Sequence, residues 1–229
     1  MTQPEAALFV FDGYRGANDV GQNAAASLSR LLGASVAVCW NKWLGSGESL
    51  SDRFLRATAW LEERSSHISQ ISAIGLSMGC QVAVRFSQQM SARYPLLCLD
   101  KLVLVAPDPK YRPVGRDVEE ASAGISSAFD EAVGLWGSEG AAGPQFVSAL
   151  ADLTGHFADI RIIYCRSDGV TEWKNNVDLM IQELNLREGV DAIEATDGEL
   201  LEGSDTTVDL RSVNLESDVH ERLWSSVSF

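Results

Sequence analysis

Short apolar runs recur along the chain at intervals that a helix would fill. They stand at residues 7–11, 35–39, 71–74, 101–105, 160–165 and 207–213, and each reads as a strand. Between or after them lie amphipathic segments near 20–32, 51–64, 79–93, 172–186 and from 221 onward, each long enough for a helix. In the third of these, Val82, Ala83 and Phe86 share one face at helical spacing. Strands and helices alternating in this way predict βα units wound into a mostly parallel sheet of about six strands with helices on both faces. That is a three-layer αβα sandwich, in one α/β domain over residues 1–229. The alternation stops between about 108 and 158. Pro109, Pro113, several glycines and an amphipathic piece from Val118 to Trp136 stand there instead, and they predict a lid or cap inserted after the fourth strand. A lid so placed overlies the carboxyl ends of the strands, where α/β sheets hold their ligands.

Composition narrows the classes of partner. With 45% hydrophobic and 22% charged residues in 229, the chain is that of an ordinary globular protein with enough material for a sizeable core. A net charge of −14 opposes nucleic-acid binding, because a phosphate backbone would meet a repulsive field. No apolar run approaches the roughly 20 residues that span a bilayer. The start, Met1-Thr2-Gln3-Pro4-Glu5, has no basic region ahead of an apolar stretch, so no secretory signal is expected. Cys39, Cys80, Cys98 and Cys165 lack metal-type spacing and are expected to be buried, reduced thiols. Together these predict a cytoplasmic protein that needs neither metal nor cofactor. The acidic stretch from Glu194 to Asp209 is expected to be a solvated loop.

The pentapeptide Gly75-Leu76-Ser77-Met78-Gly79 stands where the third strand runs into a helix. A serine at such a turn is forced into strained backbone angles that push its hydroxyl out of the sheet edge, and the flanking glycines let neighbouring backbone pass. A serine hydroxyl is a weak nucleophile and needs a histidine to take its proton and a carboxylate to orient that histidine. Three histidines are available. His67 and His156 each precede a strand, at the amino edge of the sheet, away from Ser77. His220 follows the last predicted strand, at the carboxyl edge, and is the expected base. Asp168, in Arg166-Ser167-Asp168-Gly169, directly follows the fifth strand and is the expected acid. Asp108, after the fourth strand, is the alternative.

Acyl transfer further requires donors aimed at the oxyanion that develops on the attacked carbonyl. The Met78 amide begins a helix directly after the nucleophile and is one candidate. The loop Asp12-Gly13-Tyr14-Arg15-Gly16 after the first strand has two glycines to turn its backbone, and the Tyr14 amide is the other. Leu135 and Trp136 of the insertion are candidate substrate contacts. So is Trp40 after the second strand, for which core packing is the competing role.

The order Ser77, Asp168, His220, each after a strand, resembles the α/β-hydrolase fold superfamily. The resemblance spans nearly the whole chain and implies a compact member without the two leading antiparallel strands. Many relatives have His-Gly where this chain has Asp12-Gly13, and Gly before the catalytic histidine where this chain has Val219. The expected activity is hydrolysis of a small-molecule carboxylic ester or thioester through an acyl-serine. Two alternatives are a non-hydrolytic ligand-binding or partner-binding module, and lactone or C–C cleavage or acyl transfer at the same site.

Overall fold

A computed structural model describes residues 5–11, 13, 36–40, 49–105, 107, 131–137, 142–164, 180 and 191–194. Its six strands are β1 (Glu5–Phe11), β2 (Val36–Trp40), β3 (Ile68–Leu76), β4 (Cys98–Val105), β5 (Phe157–Tyr164) and β6 (Asp191–Glu194). Three helices are fully delimited: α1 (Leu50–Arg64), α2 (Gly79–Arg93) and α3 (Ala142–Leu153). Residues 131–136 are helical as well. The sheet is parallel throughout, in the order β2-β1-β3-β4-β5-β6.

That order decides where a ligand can sit. From β1 the chain steps outward to β2, then returns past β1 to β3 and continues the other way to β6. The direction reverses between β1 and β3, and a parallel sheet opens a crevice at the carboxyl edge where it does so. From β2 onward every crossover runs in one direction, so right-handed connections put α1, α2 and α3 on a single face. There α2 packs between α1 and α3 and lies over β1, β3 and β4.

Burial follows the alternation of strand side chains. Ala7, Phe9 and Phe11 join Ile71, Ala73, Leu102, Leu104, Ile160 and Ile162 in the core beneath these helices. An aromatic group stitches two layers there: the Phe86 ring of α2 lies 4.6 Å from Phe9 and 5.5 Å from Phe11, and Trp60 of α1 meets Phe9 edge-on at 5.5 Å. Each of the three fully buried phenylalanine rings contributes about 2 kcal/mol by leaving water. The intervening residues Leu8, Val10, Ile74, Val103 and Val105 point to the opposite face and are buried too. Strands covered on both faces read as continuous apolar runs, which is why the sequence pattern located them.

Helix boundaries have local causes. At α1 the Ser49 hydroxyl accepts from the Asp52 amide at 3.1 Å while the Asp52 carboxylate accepts from the Ser49 amide at 2.8 Å, a reciprocal cap. The Ser49 amide and hydroxyl, both donating to the Asp52 carboxylate, hold that carboxyl below the usual carboxylate range. No such cap begins α2, where Met78 occupies the capping position with no side-chain bond. Where α2 starts, the chain also turns back tightly onto β3. A Cβ placed on Gly75 would lie 2.5 Å from Cys80 Cα and 2.7 Å from Cys80 N, so only glycine fits.

Two features depart from expectation, an added strand and an exposed cysteine. A strand stands at Asp191–Glu194, where none was expected, and the strand expected at 207–213 lies outside the described residues. A four-residue strand whose ends are Asp and Glu has too short an apolar run to be recognised. Cys98 begins β4 and is exposed, whereas Cys80 is buried; both are free thiols. Within the segment expected to insert at 108–158, residues 142–153 form α3, which packs on α2 and leads into β5. The expected helices near 20–32, 172–186 and from 221 onward lie outside the fully described residues.

Two glycines test this packing with opposite signs. Gly75→Ala is expected to lower unfolding free energy by about 3 kcal/mol, since the clash is with backbone that cannot move aside. Gly134→Ala, in the helical segment 131–136 with open space around its Cβ position, is expected to raise it by about 0.5–1 kcal/mol. Urea denaturation of both variants checks the pair.

Candidate functional site

Ser77 follows the last residue of β3 and precedes the first turn of α2. Its φ is +52°, and among the described residues it alone outside glycine has a positive φ. A left-handed serine costs on the order of 1 kcal/mol and persists only where its surroundings impose it. The surroundings here are specific. The Ser77 amide donates to the Val105 carbonyl at the end of β4 at 2.9 Å, and the Ser77 carbonyl accepts from the Cys80 amide at 3.0 Å. The Cys80 thiol also meets the Val105 carbonyl, at 3.5 Å. One end of the turn is thus tied to the neighbouring strand and the other to the helix it starts. Ser77 is 8% exposed.

Gly13, two residues beyond β1, comes directly against this serine. A Cβ on Gly13 would stand 3.1 Å from Ser77 Cβ, 3.3 Å from the Leu76 carbonyl oxygen and 3.8 Å from Ser77 Oγ. The glycine is there for space. It brings the backbone that precedes Tyr14 to the serine, at the crevice where strand order reverses. Met78 follows Ser77 at the start of α2, which has no side-chain cap and no acidic side chain in its first turn. Helix amides at that position point outward and favour negative charge.

His67 and His156 are exposed and lie at the opposite edge. His67 is in the turn between α1 and β3, with its amide on the Arg64 carbonyl at 2.9 Å and its carbonyl accepting from Glu5. His156 lies just before β5, its amide on the Leu153 carbonyl at 2.9 Å. Neither edge position reaches Ser77. Asp168, His220, Tyr14 and the alternative acid Asp108 lie outside the described residues, as does the side chain of Trp40, whose backbone ends β2.

Trp136 and Leu135 are buried, at 8% and 7% exposure. The Trp136 indole N–H donates to Gln81 Oε1 at 2.6 Å, and the ring packs edge-on to Phe146 of α3 at 6.5 Å and beneath the Arg85 guanidinium at 5.4 Å. Gln81 was not singled out from the sequence; its signal is a polar residue amid the apolar Cys80, Val82, Ala83 and Val84, with no exposure in the fold. Glu131, at the other end of the same helical segment, accepts from the Leu50 amide at 3.2 Å, near the fully buried Arg53. Burial pushes its carboxyl above the usual range, against the lowering influence of the Leu50 amide and of Arg53. Among the described residues no group of three or more His, Cys, Asp or Glu side chains could hold a metal ion, and no helix is long and apolar enough to cross a membrane.

Comparison with known proteins agrees with this geometry at the level of fold. No protein-family model and no curated sequence matches the chain. Solved structures do. One of the metagenome-derived lipolytic enzymes LipS and LipT superposes with a TM-score of 0.58 at 12% identity, covering 85% of each chain. A hyperthermophilic esterase from Pyrobaculum calidifontis gives 0.58 at 15% identity, over 99% of this chain and 77% of that one. Carboxyl esterase 2 from the fungus Tuber melanosporum gives 0.57 at 16%, over 86% and 70%. The fold is the α/β-hydrolase fold, and Ser77 occupies its strand-to-helix turn.

Backbone strain at the serine yields a stability test independent of chemistry. Ser77→Gly is expected to gain up to about 1 kcal/mol of stability, and Ser77→Val, β-branched at a left-handed position, to lose about 2 kcal/mol. Chemical denaturation decides. A glycine variant weaker than the wild type would contradict the strained geometry.

Proposed function

We propose that the protein is a serine hydrolase that cleaves a small-molecule carboxylic ester or thioester through an acyl-serine intermediate. The observation that carries this reading is the left-handed Ser77, held at the crevice between β1 and β3 with Gly13 against its side chain and an uncapped helix start after it. Structural proteins gain nothing from storing strain in a serine at that position. Catalytic turns do, because the hydroxyl is presented at the sheet edge without a backbone change during reaction. The esterases and lipolytic enzymes among the similar structures support the same class of reaction.

In this mechanism Ser77 Oγ attacks the substrate carbonyl carbon as His220 takes the hydroxyl proton, and Asp168 orients the imidazole and balances its charge. Asp108 is the alternative acid. The oxyanion is held by the amides of Met78 and Tyr14. Collapse breaks the C–O or C–S bond, His220 returns the proton to the leaving alcohol or thiol, and the acyl group stays on Ser77. Water, deprotonated by His220, then attacks the acyl carbon and releases the carboxylic acid. No metal or cofactor takes part in these steps. Leu135 and Trp40 are the candidate walls for the acyl chain. Trp136 was a candidate of the same kind, but its indole is engaged by Gln81 and Phe146, which suits a supporting role better.

The test is turnover of short-chain p-nitrophenyl esters and acyl thioesters, together with covalent labelling by a fluorophosphonate. Wild type is expected to hydrolyse at least one series and to take the label. Ser77→Ala is expected to lose the label, and it and His220→Gln to fall by roughly 10⁴-fold or more in kcat. Asp168→Asn is expected to fall by about 10⁴-fold while Asp108→Asn changes little. The reverse pattern would assign the acid to Asp108. A folded wild type that takes no label and turns over no ester or thioester would leave the scaffold as a binding module.

A further inference from the structure

The helical segment 131–136 is held at both ends by side chains that reach the starts of two neighbouring helices. At one end Glu131 accepts from the amide of Leu50, the first residue of α1, at 3.2 Å. At the other, Trp136 Nε1 donates to Gln81 Oε1 at 2.6 Å, in the first turn of α2. Helices that follow parallel strands begin at the carboxyl edge, so both attachments lie at the edge that carries Ser77. The second is the closer to the chemistry. Gln81 is four residues beyond Ser77, and its amide donates to the Met78 carbonyl at 3.1 Å, so its position is tied to the turn that holds Met78. The indole is itself fixed, by Phe146 on one side and Arg85 on another.

We propose that Gln81 and Trp136 form a positioning pair, whose hydrogen bond lets the segment 131–136 fix the first turn of α2 and so the aim of the Met78 amide at the reacting carbonyl oxygen. Its catalytic consequence rests on the serine-hydrolase reading; the pinning of the turn does not. Neither residue touches substrate, and both act through Met78. An amide that bonds the oxyanion only as charge develops contributes to the transition state and not to ground-state binding. Loosening it therefore lowers kcat and leaves KM alone. A substrate contact at Trp136 would do the opposite and raise KM.

The experiment uses the full chain with three single variants and one double variant, assayed on a short-chain p-nitrophenyl ester and by amide hydrogen exchange. Trp136→Phe keeps the ring and removes the donor, Gln81→Met removes the acceptor, and Gln81→Glu retains an acceptor oxygen. Trp136→Phe and Gln81→Met are each expected to lower kcat about tenfold, the scale of a weakened oxyanion donor, with KM within about twofold. Gln81→Glu is expected to keep most of the activity, and the double variant Trp136→Phe/Gln81→Met to be no slower than the worse single one, as for residues acting through one bond. Exchange at the Cys80 and Gln81 amides is expected to quicken in Trp136→Phe and Gln81→Met while α1 is unchanged. A raised KM with kcat kept, independent effects that multiply in the double variant, or unaltered kinetics and exchange in folded variants would overturn the pairing. Should wild type neither turn over ester nor take a fluorophosphonate, the hydrolase reading fails by itself, and exchange alone then decides whether the pair pins the turn. If Trp136→Phe does not fold, the two Gln81 variants make the same comparison.

Discussion

The hydrogen bond from the Ser77 amide to the Val105 carbonyl holds the candidate site in place. It ties the residue after β3, a serine at a φ of +52°, to the last residue of β4. The chain must then reverse into α2 at once. The reversal brings Cys80 so close to β3 that position 75 has no space for a side chain, and it starts α2 two residues after the serine. Strain, glycine and helix start are consequences of one turn. The aromatic packing of Phe86 on Phe9 and Phe11 stabilises the turn from below by fixing the far side of α2 on β1.

The opposing wall of the crevice comes from β1, and parallel pairing sets its height. Phe11 is level with Gly75, and Gly13, two residues beyond β1, lies against Ser77. Gly13 is the point of contact, and its missing side chain allows the approach. The helical segment 131–136, after β4, reaches this edge too, bonded to the start of α1 through Glu131 and to the start of α2 through Trp136. Three separate stretches of chain therefore converge on one edge of the sheet. The two described histidines at the amino edge take no part in that convergence.

Much of this was legible because central strands of a parallel sheet must be apolar on both faces. The runs at 7–11, 71–74 and 101–105 lie within β1, β3 and β4, and α2 spans the segment expected at 79–93. Ser77 was legible for a related reason: only small residues tolerate a strand-to-helix reversal, so Gly75 and the serine mark it in the letters. What escaped depended on contacts distant in sequence or on weak local pattern. β6 has a carboxylate at each end, and Ala192 and Ile193 between them are too short an apolar run to announce it. The helix α3 carries Phe146, Val147, Leu150 and Leu153 at helical spacing, but Gly143 and Pro144 in its first turn give it the look of a loop. The bond between Gln81 and Trp136 joins residues 55 apart, and no spacing rule reaches across an insertion. Cys98 was expected inside because strand residues often are, but it begins β4 at the exposed end.

The central claim is that Ser77 itself carries the acyl group during turnover. Acid-quenching the protein within milliseconds of mixing with a p-nitrophenyl ester, followed by peptide mass spectrometry, tests it directly. The peptide that contains Ser77 should gain the mass of the acyl group, with the modification on Ser77 and a rise and decay that match the burst of p-nitrophenol. Ester turnover with no adduct on Ser77, or with the acyl group on another residue, would contradict it.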